Sequence, residues 1–127
     1  MIAVVTSALM ALLLAEPKAD QIATILEAED QVVISAGTLA EALIVVARRG
    51  VVQELTRLID GLGIQVDSIS AAGAHAVAEA YSYWGKGRHP AGLSFGDCFA
   101  YVTAKSSGAP LLFVGDDFSK TDVAAAI

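Results

Sequence analysis

Gln31-Val-Val-Ile-Ser35, running into Ala36-Gly-Thr38-Leu-Ala-Glu41-Ala-Leu-Ile-Val-Val-Ala-Arg48-Arg49-Gly50, reads as a buried strand that feeds directly into a helix. Its β-branched run is continuous rather than alternating, the pattern of a strand covered on both faces. The helix, expected over Thr38 to Arg49, stops at Gly50, and its two terminal arginines suit the negative end of the helix dipole. The same pairing recurs outward in both directions. Ile2 to Val5 is a strand followed by a helix over Ser7 to Leu14, which ends before Glu16-Pro17. Helices are expected at Lys18 to Glu29 and Val52 to Leu62, then a strand over Gly63 to Ile69 and a helix over Ala71 to Trp84. After the loop Gly85-Lys-Gly-Arg-His-Pro-Ala-Gly92, a helix from Phe95 to Ser106 and a strand at Leu111 to Val114 complete the chain, apart from a short tail. This alternation predicts an α/β fold, a three-layer α/β/α sandwich with a mostly parallel central sheet.

The composition allows one core and narrows the function. With 127 residues, 55% of them hydrophobic, the chain suits a single domain over 1–127. Fourteen acids against 8 Lys and Arg give a net charge of -6, which excludes a protein that coats nucleic acid through its overall charge. An anionic partner therefore needs a local basic patch. The single cysteine, Cys98, excludes an internal disulfide and a multi-cysteine zinc site, and fits a reducing cytoplasm. Met1 to Ala15 is apolar, but no Lys or Arg precedes Lys18 and the run falls short of the roughly 20 residues that span a bilayer, so it is read as core.

Five acids, Glu41, Asp97, Asp116, Asp117 and Asp122, stand in or beside segments that otherwise read as core. Burying a charge is costly unless something compensates it, so such acids point to a shared cation or a catalytic site. In parallel sheets, functional groups gather at the carboxyl ends of the strands, where strand order reverses. Glu41 lies three residues after Thr38 and Asp97 three after Ser94, so each could equally be the acidic half of a capping box. In Ser94-Phe-Gly-Asp97-Cys-Phe-Ala-Tyr-Val102, a helical wheel puts Phe95, Cys98, Phe99 and Val102 on one face. Asp97 shares the other with Ala100, Tyr101 and Ala104, and neither face is polar near it. Asp116 and Asp117 follow an apolar strand and alone would mark a turn. Together the acids could converge on one cation.

In these residues the chain resembles the PIN-domain endoribonucleases, and within them the VapC-type toxins of toxin-antitoxin pairs. The resemblance rests on Ile2-Ala-Val-Val-Thr-Ser-Ala-Leu9, on Glu41 in Thr38-Leu-Ala-Glu-Ala42, on Tyr83-Trp-Gly-Lys-Gly-Arg-His-Pro-Ala-Gly-Leu-Ser-Phe-Gly-Asp-Cys98, and on Pro110-Leu-Leu-Phe-Val-Gly-Asp-Asp-Phe118 with Thr121-Asp122. It implies a pocket of acids that holds Mg2+ or Mn2+, with Glu41, Asp97 and Asp116 as ligands, Asp117 completing the site, and Thr6 and Ser7 in support. The other reading of Thr6 and Ser7 is a plain helix cap, and Asp122 reads as the start of a terminal turn. The implied chemistry is RNA hydrolysis by metal-activated water, which needs no nucleophilic side chain. The implied partners are a VapB-type antitoxin, tRNA or another structured RNA, and a second copy of the chain. The apolar Ala8 to Leu14 and Ala19 to Leu26 could line a groove for such a partner or simply be core.

The chain departs from the family pattern at Val5, which stands where the opening motif carries an aspartate. Valine cannot coordinate a hard cation through its side chain, so the expected nuclease is impaired or inactive. Two origins fit: a substitution that silences a nuclease, or a natural variant with lost or altered activity. The alternative function is a catalytically dead binding module that keeps the fold, dimerises and engages an antitoxin. A phosphoacceptor domain of similar topology would want an acidic pair after the first strand, which Val5-Thr6 does not supply. Lys86, Arg88 and His89 in the glycine-rich loop are the candidates for RNA phosphates, or for pairing with a carboxylate. Arg48 and Arg49 read as helix-end charges, His75 as an exposed helix residue and Cys98 as a small buried side chain.

Overall fold

Main-chain alternation along the first strand sorts the core into two layers. In the computed structural model, which describes residues 1–127, β1 spans Ile2–Val4. Ile2 and Val4 join one apolar cluster, while Ala3 and Val5 join another on the opposite face of the sheet. β2 (Val32–Ser35) repeats the division, with Val32 and Ile34 on the first side and Val33 on the second. β3 is Gln65–Asp67 and β4 is Leu111–Leu112. The four strands are parallel in the order β3-β2-β1-β4.

Six helices cover the two faces. On the first lie α1 (Thr6–Leu13), α2 (Ala19–Ala28), α3 (Ala36–Arg49) and α4 (Val52–Leu62), which supply Leu9, Ile22, Val46 and Leu55 to the core. On the second lie α5 (Ala71–Trp84) and α6 (Phe95–Ser107), which supply Val77, Ala80, Cys98 and Ala104. The chain is therefore the expected three-layer α/β/α sandwich. Each fully buried Leu, Ile or Val contributes about 1.5–3 kcal/mol, so both layers are needed to offset the entropy of ordering the chain. No helix is long and apolar enough to cross a membrane. Gly50 ends α3 in the left-handed region, at φ 72°, with Arg48 and Arg49 exposed in the last turn.

Four expectations need correction. The third strand is only three residues long and exposed throughout, because it is the sheet edge; Val66 is 46% exposed. Helix α3 starts at Ala36, with the Ser35 hydroxyl accepting the Gly37 N–H, so Thr38 is not a cap and Glu41 is not half of a capping box. Phe95 is 66% exposed, packing edge-on against Phe99, and the buried stripe of α6 is instead Cys98, Ala100, Thr103 and Ala104. The tail does more than terminate: the N–H of Leu111 donates to Ala124 and that of Ala126 donates back to Leu111, which widens the sheet beside β4.

Candidate functional site

The chain runs outward from β1 to β2 to β3 and then returns to the far side of β1 with β4. Strand order therefore reverses at β1, and the crevice at its carboxyl end is where this architecture places ligands. Val5 occupies that point. It is extended, caps α1 without a side-chain hydrogen bond, and donates its N–H to the Leu112 carbonyl at 3.3 Å. Its side chain is 1% exposed and belongs to the core beneath α6.

Thr6 and Ser7 follow, and neither caps the helix. The buried Thr6 hydroxyl donates to Glu41 Oε1 at 2.6 Å, a link between residues 35 apart in sequence. Ser7 Oγ accepts the Val114 N–H at 3.0 Å, fixing the segment that leads from β4 to Asp116. Glu41, half-buried on α3, has its carboxylate pressed against Gly96 in the first turn of α6. A methyl group at Gly96 would come within 2.6 Å of Glu41 Cδ. Gly96 was not singled out by sequence reasoning, since its role is the absence of a side chain.

Asp97 forms the capping box that the sequence allowed. Its N–H donates to Ser94 Oγ and its Oδ2 accepts the Ser94 N–H, both at 3.1 Å. Burial raises its pKa above the ordinary carboxylate value, the two Ser94 bonds pull the other way, and the charge of Asp117 adds to the rise. Asp117 is thus close enough for Asp97 to feel it, although Asp116 and Asp117 are both exposed and their carboxylates make no hydrogen bond. Burial, reinforced by Asp97, also pushes the Cys98 thiol up to about 11, which leaves it protonated and inert at neutral pH.

Asp122 belongs elsewhere. It accepts the Tyr101 hydroxyl at 2.6 Å and pairs with Lys105 at 3.3 Å, and the Tyr101 bond chiefly holds its carboxyl below the ordinary value. Lys105 sits eight residues beyond Asp97, about 12 Å along the α6 axis. Thr38 is fully buried three residues before Glu41, with its hydroxyl unpartnered.

The basic loop is clamped at its stem. Lys86 N–H donates to the Leu93 carbonyl and Leu93 N–H to the Trp84 carbonyl, each at 3.0 Å. Lys86 and Arg88 are exposed and take part in neither of the two ion pairs, Met1–Glu29 and Lys105–Asp122. His89 is half-buried, and its Nδ1 accepts the Ala91 N–H at 3.0 Å. His75 is exposed on α5.

Thr6 at the start of α1, Glu41 on α3 and Gly96 in the first turn of α6, next to Asp97, are therefore brought together, with Val5 directly before Thr6. Residues 2–124 match the PIN domain. The chain belongs to the PIN-domain family. Among its relatives, Ribonuclease VapC30 of Mycobacterium tuberculosis is 43% identical over 122 residues, covering 94% of this chain and 93% of that protein. Ribonuclease VapC36 of the same organism is 45% identical over 93% of this chain and 88% of its own. The fold is also that of solved VapC structures. The sarcin-ricin-loop-cleaving toxin VapC20 of M. tuberculosis superposes with a TM-score of 0.76 at 18% identity, covering 97% of this chain and 96% of its own. A toxin-antitoxin complex from Klebsiella pneumoniae gives 0.72 at 19% identity, over 96% and 93%.

This PIN domain has an incomplete donor set for a divalent cation. One Glu41 oxygen is held by Thr6 and one Asp97 oxygen by the Ser94 N–H, while Val5 offers only a buried apolar side chain. No three acid, histidine or cysteine side chains converge closely enough to hold a metal ion. Mg2+ keeps several waters and is usually held by one or two carboxylates; here Glu41 and Asp97 each have one oxygen already engaged and no third acid stands beside them.

Proposed function

We propose that this PIN domain is the VapC-type toxin of a toxin-antitoxin pair, directed at RNA, and that Val5 leaves it impaired as an endoribonuclease. The reading is carried by one observation: the carboxyl end of β1, where strand order reverses, bears a buried apolar side chain in a chain 43% identical to a named VapC ribonuclease. In this family the cation, Mg2+ or Mn2+, would lower the pKa of a bound water and offset charge developing on the phosphodiester. Glu41, Asp97 and the flanking Asp116 and Asp117 keep the pocket acidic, Thr6 fixes the direction of Glu41, and Ser7 fixes the chain before Asp116. Lys86 and Arg88, free of carboxylate partners, are the cations available to an RNA backbone.

A second reading, that of an antitoxin-binding module without catalysis, is favoured by a cleft of about 210 Å³ bounded by Leu12, Ala23, Leu26, Glu27, Leu58 and Leu62. It lies among α1, α2 and α4 and could take an apolar anchor of a VapB-type antitoxin. Leu43 and Ile44, exposed on α3, are available for self-association in a homodimer.

The test is cleavage of a structured RNA pool, tRNA included, with magnesium, comparing this chain with Val5→Asp and with Val5→Asp carrying Asp97→Asn. We expect Val5→Asp to cut, the double variant to be silent and the present chain to be slower by orders of magnitude. Equal cleavage by the present chain and Val5→Asp would remove the role given to Val5. Absence of cleavage in every folded form would leave the binding module.

A further inference from the structure

An aromatic cluster stands beside the basic loop and takes no part in the acidic site. Tyr83 and Trp84 end α5, with ring centroids 4.5 Å apart and edge-on. His89 reaches back from the loop to lie 4.7 Å from Trp84 and 6.0 Å from Tyr83, its plane within 25° of the tyrosine ring. Trp84 in turn lies 6.0 Å from Tyr101 on α6. Tyr83 remains 64% exposed and borders an open cleft of about 540 Å³ between α5 and α6. The neighbouring exposed charges on the loop, Lys86 and Arg88, are cationic and unpaired.

Resting on the RNA reading above, we propose that Tyr83, backed by His89 and Trp84, is a stacking ledge for an unpaired nucleobase, with Lys86 and Arg88 holding the phosphates on either side of it. The ledge is preset. The Gly85–Leu93 clamp fixes both ends of the loop, the Ala91 N–H orients the His89 ring, and His89 stacks against Tyr83 from within the fold. Its position suits a strand running to the acidic site: Tyr101, which touches Trp84, is four residues beyond Asp97, about 6 Å along the helix axis. A base stacked on an exposed ring must be unpaired, so the ledge selects single-stranded or looped RNA over duplex. The occupant is RNA rather than an acidic peptide because a ring face with flanking cations matches the base-phosphate alternation of a nucleic-acid strand.

Trp84 is the only tryptophan, so its fluorescence reports on this cluster alone. The experiment titrates the full chain at low salt with a labelled mixed-sequence single-stranded RNA, the same strand annealed to its complement, and oligoglutamate, following Trp84 emission and RNA anisotropy together. We expect the single strand to quench Trp84 and to bind more tightly than the duplex. Tyr83→Leu should weaken it about tenfold while Tyr83→Phe preserves it, because stacking needs the ring and not the hydroxyl. Lys86→Ala and Arg88→Ala should each lower the salt-dependence slope by about one. RNA that binds with Trp84 unmoved, equal affinity for duplex, an unaffected Tyr83→Leu, or equal quenching by oligoglutamate would overturn the ledge. If Val5→Asp still cleaves RNA in that case, the ribonuclease reading stands without it; if no form binds or cuts RNA, both fall.

Discussion

Gly96→Ala should lower stability, and the same substitution should raise it once Glu41 is gone. The reasoning starts from space. Gly96 is the second residue of α6, and a β-carbon there would lie 2.6 Å from Glu41 Cδ and 3.1 Å from Oε1, closer than real carbon contacts allow. The side chain of Glu41 is flexible, so the carboxylate rather than the backbone gives way. Moving it breaks the 2.6 Å bond from Thr6 and leaves a buried hydroxyl without a partner. A hydrogen bond to a charged group is worth about 1.5–3 kcal/mol, and the lower end suits a carboxylate that is half-exposed. Against this, Ala in place of Gly in a helix gains up to about 1 kcal/mol, less in the first turn. The net loss should be about 1 kcal/mol. With Glu41→Ala as background, only the helix term remains, and Gly96→Ala should stabilise by about 0.5 kcal/mol. Urea unfolding of the four proteins in this cycle measures the coupling, expected near 1.5 kcal/mol with a reversal of sign. If the two substitutions add to within about 0.5 kcal/mol, Gly96 does not position Glu41 and its glycine has another cause.

Asp97→Asn should be more stable than the present chain at pH 7, the advantage fading in acid. Folding raises the Asp97 pKa above 3.8, so the ionised carboxylate costs stability that is fully felt above the raised value and absent below 3.8. Asparagine escapes that cost while still accepting the Ser94 N–H, and urea unfolding at neutral and acid pH checks it. A less stable variant at pH 7 would mean that the charge at the helix start outweighs its burial. Gly37→Ala should cost about 1–2 kcal/mol by the same assay, because its β-carbon would meet the Phe99 ring at 2.5 Å; Phe99→Ala should remove that cost.

What the sequence shows and what it hides divide by range. The Ser94-x-x-Asp97 box was legible because both its bonds are made within one turn of one helix. Thr38-x-x-Glu41 has the same spacing and a different outcome, since the strand before it runs straight into the helix and Ser35 takes the cap. The true partner of Glu41 is Thr6, on another element, and no local rule connects them. The pairing of the tail with β4 was hidden for the same reason, as was the aromatic cluster, whose members meet only when the clamped loop folds back over α5. The edge strand was read too long because Val66 and Ile69 look like core residues until the sheet order leaves them at the rim.

On the proposed reading, Val5 would leave such a site chemically deficient and structurally sound at once. A carboxylate at its position would stand desolvated in an apolar cluster, and without a cation that burial carries a cost. Valine exchanges that cost for burial of an apolar side chain, about 1.5–3 kcal/mol, in the core beneath α6. Its β-branched shape also suits the extended backbone it adopts at the end of β1. If Val5 silences the site as proposed, the loss of chemistry and the gain in packing would come from the same methyl groups. The surrounding pieces, Thr6 on Glu41, Gly96 beneath it, Ser94 on Asp97, are retained around the position. On the proposed reading, one residue rather than a rebuilt pocket would separate this chain from the activity its family implies.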